Sequence, residues 1–224
     1  MLGTTTRNDL LRLIYNATAI GNLADNAATS PLTNIAVALH TADPGTGTMA
    51  TSEVAYTGYA RVLVARTTGG WTVTANSVSP FANIDFGQRT DNGAQQVVTH
   101  FSTGFTGGGA AKIIDRGVIG SVAGPFTAVV SGNLFTIPGH TLVVNDRVCF
   151  YATGGSTLPG GVTEGTVYFV ISVSGDTLTV STTQGGASIT VSAAGDGIAY
   201  RITPLFINQN SIPRLTTATA VTIE

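Results

Sequence analysis

Charge is what this chain has least of. Charged residues make up 10% of its 224 positions, against about 25% in ordinary soluble domains. Ten cations and twelve anions leave a formal net charge of −2, and the cations are almost all Arg, scattered singly. No basic stripe exists to follow a phosphate backbone, so direct nucleic-acid binding is not expected. Cysteine is nearly absent too. Cys149 alone excludes an intramolecular disulfide framework and most Cys-based zinc sites. Mean hydropathy is positive at +0.30, yet Thr, Ser, Asn and Gly interrupt every run well short of the roughly 20 apolar residues of a spanning helix. Membrane insertion is therefore not expected. The first six residues carry neither the basic nor the apolar region of a secretory signal, so synthesis and folding in a cytoplasm are expected.

What is abundant is Gly, at 28 residues, and Thr, at roughly one residue in six. Thinly spread hydrophobicity with many β-compatible hydroxyl residues and turn formers points to an all-β protein. The length admits one large domain or two modest ones.

One helix is readable. Thr6-Arg7-Asn8-Asp9 has the form of a capping box, and Leu10, Leu13, Ile14, Ala17 and Ile20 follow at helical spacing, with Gly21 and Asn22 as its end. Strands are predicted at 34–40, 54–65, 71–74, 81–86, 95–103 and 112–119. Between them lie turn clusters such as Asp43-Pro44-Gly45 and Asp91-Asn92-Gly93. This spacing suits a β-sandwich or jelly-roll base. A second region begins near Pro125. Strands 126–130 and 134–137 flank Ser131-Gly132-Asn133, and 167–173 and 177–181 flank Ser174-Gly175-Asp176, which predicts two hairpins. Further strands are expected at 147–152, 189–192 and 198–202. The organisation expected is thus a discontinuous base, 1–124 and 201–224, with a small inserted β-barrel or β-sandwich module at 125–200. The smaller module buries a smaller share of its surface and is the marginal one.

Candidate chemistry is sparse. His40, His100 and His140 lack metal-site spacing and read as surface or strand-end residues. Asp43, Asp85, Asp91, Asp115 and Glu53 are the carboxylates from which a glycosidase pair would be drawn, and such a pair must stand about 5 to 9 Å apart. Asp43 and Asp91 already have a structural reason as turn caps; Asp85, between Ile84 and Phe86, is the unusual one. Gly107-Gly108-Gly109 lacks the ending of a phosphate loop. Cys149 reads as a small buried hydrophobe. Trp71, Tyr56 and Tyr59 fit either core packing or a sugar-stacking platform. No catalytic, metal or cofactor-binding residue is expected, and the protein does not read as an enzyme.

The run Val37-Ala38-Leu39-His40-Thr41-Ala42-Asp43-Pro44-Gly45, followed by Glu53-Val54-Ala55-Tyr56-Thr57-Gly58-Tyr59-Ala60-Arg61-Val62 and then Trp71, resembles a family of tailed-bacteriophage virion proteins. The likeness continues through 81–86 and Thr99-His100-Phe101. Members are often labelled tail fibre proteins; others resemble head decoration or cement proteins with a jelly-roll core. In strand terms the signature is a strand ending at His40, a tight turn, and a long strand with Tyr59 and Arg61 on one face. The block 157–170 is similar to small β modules of phage structural proteins.

The resemblance implies a virion structural protein, first of all a capsid decoration protein that docks on the assembled head and stabilises it. A tail fibre or tail-associated protein that binds a host surface is the alternative, with a carbohydrate-active enzyme a remote third. Expected partners are the major capsid protein or another virion protein, a second or third copy of the chain, and a host-surface glycan. The segments 2–6 and 218–224 are the first candidates to reach a neighbour. Made in the host cytoplasm, the protein would end in the virion, on the capsid surface ahead of the tail.

Overall fold

The structure is a computed structural model, and it describes residues 4–19, 32–107 and 110–222. The chain divides into two compact units, Met1–Gly117 with Phe206–Glu224, and Val118–Leu205. Among the described residues nearly all regular structure is β, with one α-helix, near the N-terminus.

In the first unit, the base, helix α1 (Thr4–Asn16) precedes strand β1 (Asn34–His40). The helix begins before Thr6, so Thr6 is an interior residue and not the cap. It stops at Ala17, which takes the left-handed conformation (φ 53), three residues short of Ile20. Ile20, Gly21 and Asn22 lie outside the described residues. Its last carbonyls are satisfied from afar: the Arg66 guanidinium donates to the carbonyls of Leu13 and Ile14, which supplies the partners a helix end needs. Leu11 and Tyr15, one turn apart, form the buried stripe, and Tyr15 meets Trp71 edge-on at 4.9 Å.

Strand β1 is buried along nearly its whole length, which explains its continuous apolar run. It sits inside a four-stranded sheet, ordered β2 (Val62–Ala65), β1, β7 (His100–Gly107), β8 (Ala110–Val118). Between β2 and β7 in the chain come β3 (Trp71–Thr74), β4 (Ser77–Pro80), β5 (Ile84–Asp85) and β6 (Gln96–Val98). Strands β3 and β4 form a hairpin with Trp71 opposite Pro80.

The predicted strand 54–65 is realised only in its last four residues. Gly58 has φ 103, and a Cβ there would lie 2.1 Å from the Gln88 carbonyl oxygen. The chain must turn at this point, and only Gly fits. Residues 54–61 therefore form a loop.

The second unit is a closed antiparallel barrel. Its strands are β9 (Gly120–Val129), β10 (Leu134–Thr136), β11 (Arg147–Tyr151), β12 (Tyr168–Ser174), β13 (Thr177–Ser181) and β14 (Gly195–Ile202), neighbouring in the order β10-β13-β12-β11-β14-β9, with β9 closing onto β10. Closure removes exposed sheet edges. Both Ser-Gly-Asn/Asp hairpins form: Val129 pairs with Leu134, and Ser174 with Thr177.

The barrel unit extends beyond 125–200 because β9 starts at Gly120 and pairs with β14 as far as Ile202. The Gly-Ser-Val-Ala-Gly stretch before Pro125 carries too few apolar residues to read as strand. The segment 189–192 is not a strand. Val191 enters the core while its N–H donates to Asn133 Oδ1 at 2.8 Å. Inward side chains build one apolar cluster around Phe126, Phe135, Phe150, Tyr168, Leu178 and Val180, with Phe135 stacked on Phe150 at 4.7 Å. Cys149 is buried in β11.

The closing stretch supplies β15 (Leu205–Ile207), which pairs with β6; β16 (Arg214–Leu215), which pairs with β5; and β17 (Val221–Thr222), which pairs with β4. The two terminal segments named as candidates to reach a neighbour are partly built into the base: Thr4, Thr5 and Thr6 belong to α1, and Val221 and Thr222 to β17. Among the described residues no helix is long and apolar enough to cross a membrane.

Candidate functional site

The loop 53–61 and the loop 87–96 face one another across an open cleft of about 940 Å³ in the base. One wall is organised by Glu53. Its Oε1 accepts from the Tyr59 hydroxyl at 2.9 Å and from Arg61 Nε at 2.8 Å, and its Oε2 accepts from Arg61 Nη2 at 2.7 Å. This two-pronged pairing fixes both side chains in plane. The Tyr59 oxygen also accepts from the Leu39 N–H, which ties the wall to β1. Tyr59 and Arg61 do converge, as a same-face pair would, but through a shared carboxylate and not through a strand. Burial, above all, raises the Tyr59 phenol well beyond its ordinary pKa.

Arg89 anchors the other wall. It is buried, and it donates to Asp91 Oδ1 through Nε (2.8 Å) and Nη2 (2.6 Å), and through Nη1 to the carbonyls of Ala94 and Ile207, both at 2.9 Å. Asp91 also accepts from the N–H groups of Thr57 and Gly93. The Arg89 hydrogen bonds, followed by those backbone donors, hold its carboxyl at about 2. Every oxygen of the two cleft carboxylates thus accepts from at least one fixed donor. Burial pushes Tyr56 up to about 12, so its phenol keeps its proton and donates to the Gly87 carbonyl at 2.8 Å. Tyr56 lies tilted against Tyr59 at 5.3 Å. The Gln96 amide bonds both the N–H and the carbonyl of Ala55, and Gln95 Nε2 donates to Asn208 Oδ1 at 2.8 Å. The arrangement presents oriented hydrogen-bonding planes and the rings of Tyr56 and Tyr59.

The remaining candidates lie elsewhere. Trp71 belongs to the core beside Tyr15, apart from the two tyrosines. Asp85 is exposed and paired with Arg214. Asp43 pairs with Arg116 at 3.1 Å, and it also accepts from the Gly45 N–H as a turn cap. Asp115 accepts from the Tyr15 hydroxyl, and burial raises its pKa.

His40 and His100 are strand-end residues but not surface ones. They are fully buried and directly opposite each other in the β1–β7 register. His40 Nδ1 donates to the Thr51 carbonyl, and its Nε2 accepts from the Ser102 hydroxyl, both at 2.8 Å. The His140 ring accepts from the Leu142 N–H. Among the described residues no cluster of three or more His, Cys, Asp or Glu is placed to hold a metal ion. Gly108 and Gly109 lie outside the described residues.

Sequence reasoning passed over Arg89, Gln95 and Gln96. The one local signal was the turn that follows Arg89, in which Asp91 caps Gly93; the partners at Ile207 and Asn208 are more than a hundred positions away.

Comparison with known proteins adds one finding. Residues 13–109 match the family described as Podophage GP4 fiber I protein gp80, while no curated protein matches the chain. The matched stretch contains the whole cleft loop 53–61, the loop 87–96 and the paired histidines, and it ends before the barrel. Over residues 13–109, then, this chain is similar to a family of podophage fibre proteins.

Proposed function

We propose that the protein is a fibre-type structural component of a phage virion, in which the base docks on another virion protein and carries the barrel as an added module. It acts by binding, without turnover. The observation that carries this reading is the match of residues 13–109, all within the base, to a fibre protein family. The low net charge of −2 fits docking that tolerates salt, because little of the interface energy would be screened. Repetition by symmetry makes weak contacts sufficient: occupancy at 100 times Kd stabilises each site by about 2.7 kcal/mol. Closed dimers or trimers are the assemblies such a component would form.

The test is location. Gold-labelled antibody against the purified chain, applied to intact virions, is expected to mark the fibres in electron micrographs. Label spread over the head would overturn the fibre assignment and make the protein a capsid decoration protein.

A further inference from the structure

We infer that the cleft between loops 53–61 and 87–96 is a binding site for a neutral oligosaccharide. The inference deepens the fibre reading and rests on it only for the source of the sugar, a host surface.

Charge selects the class of ligand. The ionic groups lining the cleft pair off within it, Glu53 with Arg61 and Arg89 with Asp91. A charged ligand would have to compete with a pair already made, whereas a neutral one need only use the hydrogen-bonding capacity left over. That capacity is considerable. The Gln95 amide is exposed, and with Nε2 held by Asn208 its Oε1 remains as an acceptor. Arg61 uses Nε and Nη2 on Glu53, which leaves Nη1 as a donor.

Shape selects further. The cleft, at about 940 Å³, opens broadly to solvent, so a ligand longer than one ring can extend out of it. The Tyr56 ring is half-buried in the lining, fixed by its bond to Gly87 and by contact with Tyr59. Its negative face suits the weakly positive C–H face of a pyranose, while the flanking planar groups suit vicinal hydroxyls. Since these side chains are already held by second partners, little conformational entropy is lost when a ligand binds.

The full chain, isotope-labelled, would be titrated with short neutral hexose oligosaccharides of gluco, galacto and manno configuration, and with polygalacturonate as the acidic probe. Saturable shifts of the Gln95 and Gln96 side-chain amide signals are expected with at least one neutral probe, at a Kd of about 1 mM or tighter. Tyr56→Ala should weaken binding at least about tenfold, whereas Tyr56→Phe, which keeps the ring, should stay within about threefold. Gln95→Ala, an exposed change that spares the fold, should weaken it by about threefold or more. The site is overturned if no neutral probe moves those signals, or if binding survives both Tyr56→Ala and Gln95→Ala. Tighter binding of polygalacturonate than of every neutral probe overturns the ligand class. A virion label on fibres without sugar binding would sink the site alone, and sugar binding with label on the head would sink the fibre position alone.

Discussion

The base and the barrel bury different chemistry. The barrel closes its hydrogen-bond ladder on itself and fills the interior with one apolar cluster in which Phe126, Phe135, Phe150 and Tyr168 touch in sequence. The base, beside its own apolar residues, encloses Arg89, His40, His100, Thr99, Ser102 and Thr103. Apolar burial is non-directional and tolerant of pH. Buried polar groups require particular partners, and losing one partner leaves the other unsatisfied at a cost greater than the bond's net contribution. The barrel core is thus held chiefly by apolar contact, while the base commits buried polar groups to particular partners, Arg89 at the cleft among them.

The largest test of that contrast is a cavity in the barrel. Phe135 is fully buried between Phe126 and Phe150, and Phe135→Ala should cost about 3 to 5 kcal/mol. Hydrogen exchange should accelerate across β9–β14, while fluorescence from Trp71, the single Trp and a base residue, should keep its denaturation midpoint. Next comes Arg89→Ala. Removing the guanidinium leaves the Ala94 and Ile207 carbonyls without their partner and unpins the closing stretch from the cleft loop, for a loss of about 2 to 4 kcal/mol. Here the Trp71 midpoint should fall and barrel exchange should not change. If both variants moved both reporters equally, the two units would share one cooperative transition, and the contrast would be lost.

Acid should separate the units as well. Burial lowers the pKa of His40, and burial pushes His100 down to about 4, with His40 and Arg116 opposing its charge and Asp43 favouring it. The unfolded value is about 6.5. A folded pKa below the unfolded one means that the unfolded chain binds more protons between them, so stability is full above about 6.5 and drains away as pH falls towards about 4. The base should lose on the order of 2 kcal/mol across that window, read as a falling Trp71 midpoint. Exchange over β9–β14 should change little, because its core cluster holds no histidine. His100→Gln, which keeps a polar group at that position, should flatten the profile; an unchanged slope would assign the acid loss to other groups.

The parts of this molecule that were legible in sequence are those whose information is local. Strand β1 showed itself as the run Ile35 to Leu39, and the barrel hairpins through Ser-Gly-Asn and Ser-Gly-Asp. The fibre-type signature was also on view, since the runs 37–45 and 53–62, Trp71, 81–86 and 99–101 lie inside the matched 13–109, whereas the block 157–170 lies outside it. What misled the reading was set at long range. Helix α1 ends where Arg66, some fifty residues on, reaches its carbonyls. Gly58 breaks a promising alternation because Gly87 and Gln88 pass against it. Strand β4 was missed since its Ser-rich stretch ending in Pro80 carries no strand signal and becomes one only opposite Trp71. The cleft was half legible: Glu53, Tyr56, Tyr59 and Asp91 stood out as residue types, but their meeting depends on Gln96 reaching Ala55 and on Arg89 reaching Ile207.

The smallest expected effect concerns the residue that looked most unusual in sequence. Asp85 stands opposite Arg214 in the β5–β16 ribbon and receives both Nε and Nη2. The Arg214 hydrogen bonds lower its pKa. Both side chains are nevertheless about half exposed, where solvent and salt screen most of their attraction. Asp85→Asn should leave the Trp71 denaturation midpoint within experimental error at any salt concentration. A loss as large as that of Arg89→Ala would mean that this ribbon, and not the buried Arg89 junction, fastens the closing stretch to the base. The base would then depend on an exposed ion pair, and its contrast with the barrel would lie in how each is fastened and no longer in what each buries.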